Sequence, residues 1–174
     1  MNNKLIALAI VTGSAFASVA HAYDGTINFT GRIIDSACTV STLTKDQKVD
    51  LGEVVRTSFS AVGDTASPTT FDIVLQSCPP SVTNASVKFD GPTDPDNSTL
   101  LRLTAGTGIA NGVGIGIYEQ DATTLIPIAT SSASKSLSAT DDTTFNFVAK
   151  YVATAAAVTP GPAAAATNFT IVYN

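Results

Sequence analysis

The sequence predicts an all-β protein, an immunoglobulin-like sandwich, and three observations predict it. Apolar residues recur with a period of two in short runs, the signature of half-buried strands. The runs are separated by clusters of Gly, Pro, Asn, Asp and Ser, which make turns. No segment after residue 22 shows a convincing helical period. Seven or so such runs in a chain of 174 residues, 44% hydrophobic and only 13% charged, suit one domain with a buried core.

The first 22 residues stand apart. MNNKLIALAIVTGSAFASVAHA has a basic start at Lys4, an apolar run from Leu5 to Val11 and a small-residue tail ending Ala20-His21-Ala22, the pattern of a cleaved export signal. The run is far short of the roughly 20 apolar residues that span a membrane, so direct membrane insertion is not expected. Cleavage after Ala22 leaves 152 of the 174 residues; cuts after Ala17 or Ala20 also have small residues at the required spacing. Removal of residues 1–22 takes away one basic residue and no acidic one, so the net charge of −5 becomes −6. An acidic chain lacks the positive field that holds nucleic acid. The single histidine (His21) and single methionine (Met1) leave with the signal, and there is no tryptophan.

The expected strands follow in order. Ile27, Phe29, Gly31 and Ile33 alternate first, then Val49 and Leu51, then Phe71, Ile73 and Leu75, then Val87 and Phe89. Val113, Ile115 and Ile117 come next, then Phe145, Phe147, Ala149 and Tyr151, and last Thr167, Phe169, Ile171 and Tyr173. Turns are expected at GDTASPTT (63–70), CPPS (78–81) and DGPTDPDNS (90–98). The alanine-rich stretch 153–166 is composed like a helix, but Pro160, Gly161 and Pro162 divide it into pieces too short to nucleate one. It reads as a loop leading into the last strand. No internal repeat or linker divides the chain further.

Cys38 and Cys78 form an even pair in an exported chain, which reads as a disulfide. Closing a loop of about 40 residues would stabilise the fold by about 4 kcal/mol in the chain-entropy account. Other chemistry finds little support. GVGIGIY (112–118) lacks the G-x-G-x-x-G spacing and a following helix, so a strand with one small face is expected there. Asp90, Asp94, Asp96 and Asn97 lack the ordered spacing of a calcium loop and read as a solvated turn. Asn-x-Ser/Thr triplets begin at Asn28, Asn84, Asn97 and Asn168, which a chain rich in these residues produces by chance. Without histidine there is no Ser-His-Asp triad or His-ligated metal, and Asp141-Asp142 lies in a turn rather than facing one site. No enzymatic activity, cofactor or metal is expected.

The two ends carry the informative pattern. The last strand stops at the terminus, with Phe169, Ile171 and Tyr173 on one face and Gly161 in its approach. Near the other end, GTINFTGRII puts Ile27, Phe29, Gly31 and Ile33 on one face of an extended segment close to the cleavage site. Such a segment is suited to joining another chain's sheet, where backbone bonds form the ladder and alternate side chains fill pockets.

These pieces in order, GTINFTGRIIDSACTV into Cys38, KVDLGEVVRTSFSAVGD, FDIVLQSC, VKFDG, ANGVGIGIYEQD and FNFVAKYVATAAAVTPGPAAAATNFTIVYN, resemble the pilins of Gram-negative chaperone–usher fimbriae. The resemblance covers the whole chain and is strongest to the major subunit of type 1 fimbriae. It implies residues 23–174 as a pilin domain, an immunoglobulin-like sandwich lacking its last strand, with residues 23–33 as an N-terminal donor-strand extension. It further implies export through the periplasm, a strand lent by a periplasmic fimbrial chaperone, and replacement of that strand at an outer-membrane usher. The replacing strand would be the N-terminal segment of an identical or related subunit, giving an adhesive surface fibre. Carried onto this chain, Ile27, Phe29, Gly31 and Ile33 would be the donor face. Gly161, Phe169, Ile171, Tyr173 and the Asn174 carboxylate would line the groove and meet the chaperone. Only Tyr23, Asp24, Gly25 and Thr26 precede Ile27 after cleavage at Ala22, a shorter lead than such major subunits usually have. A tip adhesin or lectin is the alternative; the chain lacks the second, receptor-binding domain such adhesins resemble.

Overall fold

The computed structural model describes residues 24–31, 33 and 37–174; the export-signal reading, with its cleavage sites, His21 and Met1, falls outside the described residues. The chain divides into two units, Met1–Ile33 and Ile34–Asn174. In the first unit the described residues form no strand or helix, and Ile27, Phe29 and Ile33 are 80%, 92% and 98% exposed.

The second unit consists of two antiparallel sheets. Its elements are β1 (Thr39–Val40), α1 (Thr42–Lys45), a 3₁₀ turn (Arg56–Ser58), β2 (Thr65–Gln76), β3 (Asn84–Asp90), β4 (Val113–Glu119), β5 (Leu125–Ile126), β6 (Lys135–Ser136), β7 (Thr143–Ala153) and β8 (Asn168–Tyr173). One sheet has the order β1-β2-β7-β4-β5 and the other β6-β3-β8. Their inner faces share one core: Ile73, Leu75, Ile115, Ile117, Phe145 and Phe147 from the first sheet, and Ala85, Val87 and Phe89 from the second. Phe89 and Phe147 meet edge to face across the layers, ring centroids 5.1 Å apart, and Phe71 joins them at 6.0 and 5.5 Å. This offset arrangement suits the quadrupoles of the rings. The period-two pattern puts these residues inside, because successive side chains of a strand point to opposite faces.

β4 is buried on both faces, because Leu100 and Leu101 cover Gly114 while Tyr118 and Val152 cover Gly116 on the side its glycines present. A Cβ on Gly114 would stand 3.1 Å from the Leu101 carbonyl oxygen and from the Leu100 Cβ. The glycine-rich run is therefore a strand made small for close packing. Asp94, in the acidic loop, accepts from the backbone N–H groups of Asp96 and Asn97 at 3.0 and 3.1 Å, the arrangement of a turn. The stretch 154–166 is a loop, as its prolines require. Cys38 and Cys78 are joined, tying the start of β1 to the exit of β2.

Four expectations are corrected, the first being the strand expected at Ile27, Phe29, Gly31 and Ile33: with no neighbouring strand to pair with, these residues form none. GDTASPTT is only partly a turn: β2 begins at Thr65, and the ladder with β7 shifts register between Ala66 and Thr69. Ser67 has a φ of 53° there, and Pro68, which has no N–H to donate, sits at the irregularity where the ladder does not need one. Val49 and Leu51 belong to no strand; their segment is held by side-chain bonds instead of a ladder. α1 and the 3₁₀ turn, at four and three residues, are too short to leave a period in the sequence.

Candidate functional site

β8 is an edge strand. Among the described residues it pairs with β3 alone, in the register Phe89–Phe169, Val87–Ile171 and Ala85–Tyr173. The Asn174 N–H donates to the Asn84 carbonyl at 3.0 Å. Antiparallel pairs alternate between bonded and non-bonded, so Ser86–Val172, Lys88–Thr170 and Asp90–Asn168 are the bonded pairs. The N–H and C=O groups of Phe169, Ile171 and Tyr173 therefore point to the open side. The opposite residues agree: Val87 exchanges bonds with Ser132, and the Phe89 carbonyl accepts from Ala129, all on the far side of β3. The same three β8 residues carry the strand's inward-facing side chains, and each is only half-buried.

Beside this edge lies a cleft of about 560 Å³. Its floor is core: Phe71, Ile73, Phe89, Ile115, Ile117 and Ala149. One wall is residues 165–169 and the other is the segment carrying Lys45, Asp46, Gln47, Val49 and Leu51. A second cleft of about 510 Å³ lies between residues 52–59 and 158–163. The second cleft is lined by the stretches next in sequence to the two walls of the first, residues 52–59 after 45–51 and residues 158–163 before 165–169. At the β1 end the two sides are joined, where the Tyr173 hydroxyl donates to the Cys38 carbonyl at 3.5 Å. Burial raises the pKa of Tyr173.

The residues singled out from the sequence fall into place unequally. Phe169 lines the first cleft; Ile171 and Tyr173 follow it along the same open edge of β8 but line neither cleft, and the backbone of Asn174 extends the β8–β3 ladder. Gly161 lies in the far wall of the second cleft, where a Cβ would stand 2.2 Å from the Gly108 carbonyl oxygen. Its smallness lets residues 159–162 be stitched to residues 110–111, with Ala110 N–H on the Pro162 carbonyl at 3.0 Å and Thr159 N–H on the Asn111 carbonyl at 3.1 Å. Ile27, Phe29, Gly31 and Ile33 belong to the other unit. A Cβ on Gly31 would meet nothing within 4 Å among the described residues, in contrast to Gly161. The wall residues Thr44 and Gln47 were not singled out by sequence, and Leu51 only as part of an expected strand; Ser41, the N-cap of α1, is the one local signal near them.

Among the described residues no group of three or more His, Cys, Asp or Glu is placed to hold a metal ion. Among them, no helix is long and apolar enough to cross a membrane. The groove offers a hydrophobic floor and a row of unpaired backbone groups, the two things an extended strand needs.

Comparison with known proteins agrees with this fold. The profile of the fimbrial protein family matches residues 27–174. Long polar fimbria protein A of Salmonella typhimurium is 42% identical over 170 residues, covering 97% of this chain and 93% of that one. A crystal structure of a Burkholderia pseudomallei antigen and type I fimbria protein is 39% identical. It covers 80% of this chain and 91% of its own, with a TM-score of 0.62. A structure of a chaperone–usher pilus, 23% identical, shares the fold over 91% of this chain and all of that one, with a TM-score of 0.65.

Proposed function

Because this chain belongs to the fimbrial protein family, whose members are structural and non-enzymatic subunits of surface fimbriae, we propose that it polymerises by donor-strand exchange. In this reading Ile27, Phe29, Gly31 and Ile33 of one copy enter the groove of the next, beside β8. The single observation that carries it is the match of two unsatisfied parts: an exposed one-face-apolar segment and an apolar groove with a free strand edge.

Dimensions support the match. Seven residues, 27–33, extend over roughly 20 Å, comparable to the six of β8 at roughly 17 Å. Fully burying Ile27, Phe29 and Ile33 contributes roughly 1.5–3 kcal/mol each before the cost of ordering the segment. Gly31, unconstrained by its own chain, would lie where the groove leaves no room for a side chain. Donor and acceptor are different surfaces of one chain, so the contact is head to tail and does not close on itself; its product is an open filament.

The same reading assigns residues 1–22 as the export signal and 23–33 as the donor extension of a pilin domain spanning 23–174. Before assembly the exposed floor needs a temporary cover, which a periplasmic chaperone would supply through a strand against Phe169, Ile171 and Tyr173. The Asn174 carboxylate would lie at the end of that contact, and an outer-membrane usher would effect the exchange. Gly161 acts at one remove, by holding the far wall of the groove in place.

Expression in the periplasm with a cognate chaperone and usher tests this. The full chain should give detergent-resistant, heat-labile ladders and fibres. A chain lacking residues 23–33 should give only chaperone-bound monomers. Equal polymerisation by both would exclude residues 23–33 as the donor.

A further inference from the structure

Two strands border the groove, β8 by its open edge and β2 by Phe71 and Ile73 in the floor, and their backbone groups are treated differently. β1 accompanies β2 only through the pairs Thr39–Gln76 and Val40–Leu75. Ser41 continues it by donating to the Val74 carbonyl at 2.9 Å, and the chain then turns into α1. The return bond that a longer β1 would offer comes from a side chain instead. Thr44 Oγ1 accepts from the Val74 N–H at 3.1 Å while donating to the Ser41 carbonyl at 3.3 Å, using both capacities of one hydroxyl. Two residues further along β2, Gln47 Nε2 donates to the Asp72 carbonyl at 2.5 Å. Beyond that, the Ser67 hydroxyl donates to the Leu51 carbonyl, pinning the far end of the same segment. Lys45, Asp46, Lys48 and Asp50 on this segment are all exposed, and charge on a strand edge opposes pairing with another chain.

We propose that Thr44 and Gln47 guard the β2 edge, so that strand addition to this subunit is confined to β8. An incoming strand at β2 would have to displace bonds already made, whereas at β8 it finds free N–H and C=O groups over the apolar floor. One open edge at the groove gives a linear filament; a second, at β2, would also permit lateral joining of filaments. The inference rests on the reading that the groove accepts a neighbour's strand.

The test uses the full chain assembled into polymers. Thr44→Val keeps the shape of a buried residue and removes the hydroxyl, and Gln47→Ala removes the amide at an exposed position. The double variant should form laterally associated bundles, and the Val74 amide should exchange roughly tenfold faster with solvent. Thr44→Ser, which keeps the hydroxyl, should give filaments and exchange like the parent. Double-variant filaments as dispersed as the parent's, or an unchanged Val74 amide, would overturn the guard. Gln47→Ala alone removes nothing from the core and serves if the double variant is not secreted: weaker bundling is expected, and its absence overturns the proposal equally. Failure of the donor-strand reading looks different, since chains lacking residues 23–33 would then polymerise like the parent.

Discussion

Residues 27–33 and residues 168–173 carry the same sequence pattern, alternate apolar side chains, and meet different fates. In the first, Ile27, Phe29 and Ile33 lie almost fully exposed and form no ladder. In the second, Phe169, Ile171 and Tyr173 are half-buried, with a ladder on one side only. β3, with partners on both sides, shows the completed state: Ala85, Val87 and Phe89 are at most 1% exposed. The pattern specifies which face a strand buries. Whether it is buried depends on a partner, and each end of this chain has the half that the other lacks.

The comparison breaks most completely if the donor face loses its apolar character. Phe29→Asp should lower the yield of detergent-resistant polymers by roughly tenfold or more, since burying an unpaired carboxylate opposes insertion. The Tm of the 37–174 fold should be unchanged in the monomer, because Phe29 is 92% exposed. Gel ladders and calorimetry on the same preparation check both halves.

On the acceptor side, Ile171→Ala should cost about 1 kcal/mol in unassembled chain and about 2–4 kcal/mol in the polymer, where the residue becomes fully buried. Denaturant midpoints of the two forms measure the difference. Gly161→Ala should lower stability by about 1–3 kcal/mol in both forms alike, because its Cβ meets the Gly108 carbonyl within the subunit itself. A Gly161 effect confined to the polymer would instead make it a contact residue.

The smallest effect is on acid stability. The carboxylate of Asp64 accepts from the N–H groups of Ala61 and Ser60, and that of Asp121 from the hydroxyl and N–H of Thr124 and the N–H of Thr123. Both pKa values are held below the ordinary 3.8, that of Asp121 far below. Depressed carboxylates add stability that is present above the ordinary value and is lost as pH falls through the depressed ones. Asp121→Asn should therefore shift the urea midpoint at about pH 6 but hardly at about pH 1. Neither group lines the groove clefts, so polymer yield should not follow it.

Much of this fold was legible in the sequence, for a physical reason. β2, β3, β4, β7 and β8 each bury one alternating face or pack small residues tightly, and period two records that directly. The disulfide followed from an even cysteine pair in an exported chain. What was not legible was set by single side chains acting on distant backbone. Val49 and Leu51 alternate like a strand, yet Thr44, Gln47 and Ser67 hold their segment where a ladder would have been. The turn residues at 63–70 concealed the start of β2 because Ser67 and Pro68 mark a bulge there as readily as a loop. The two-residue strands β1, β5 and β6 exist through tertiary neighbours and leave no period to read.

The central claim is that the open edge of β8 is filled by another copy's residues 27–33, and amide exchange at that edge tests it most directly. In intact polymers of the full chain, the amides of Phe169, Ile171 and Tyr173 should be strongly protected. In unassembled chain lacking residues 23–33 and freed of chaperone, the same three should exchange rapidly while the bonded amides of Thr170 and Val172 stay protected. Rapid exchange at Phe169 and Ile171 in the polymer would contradict the account.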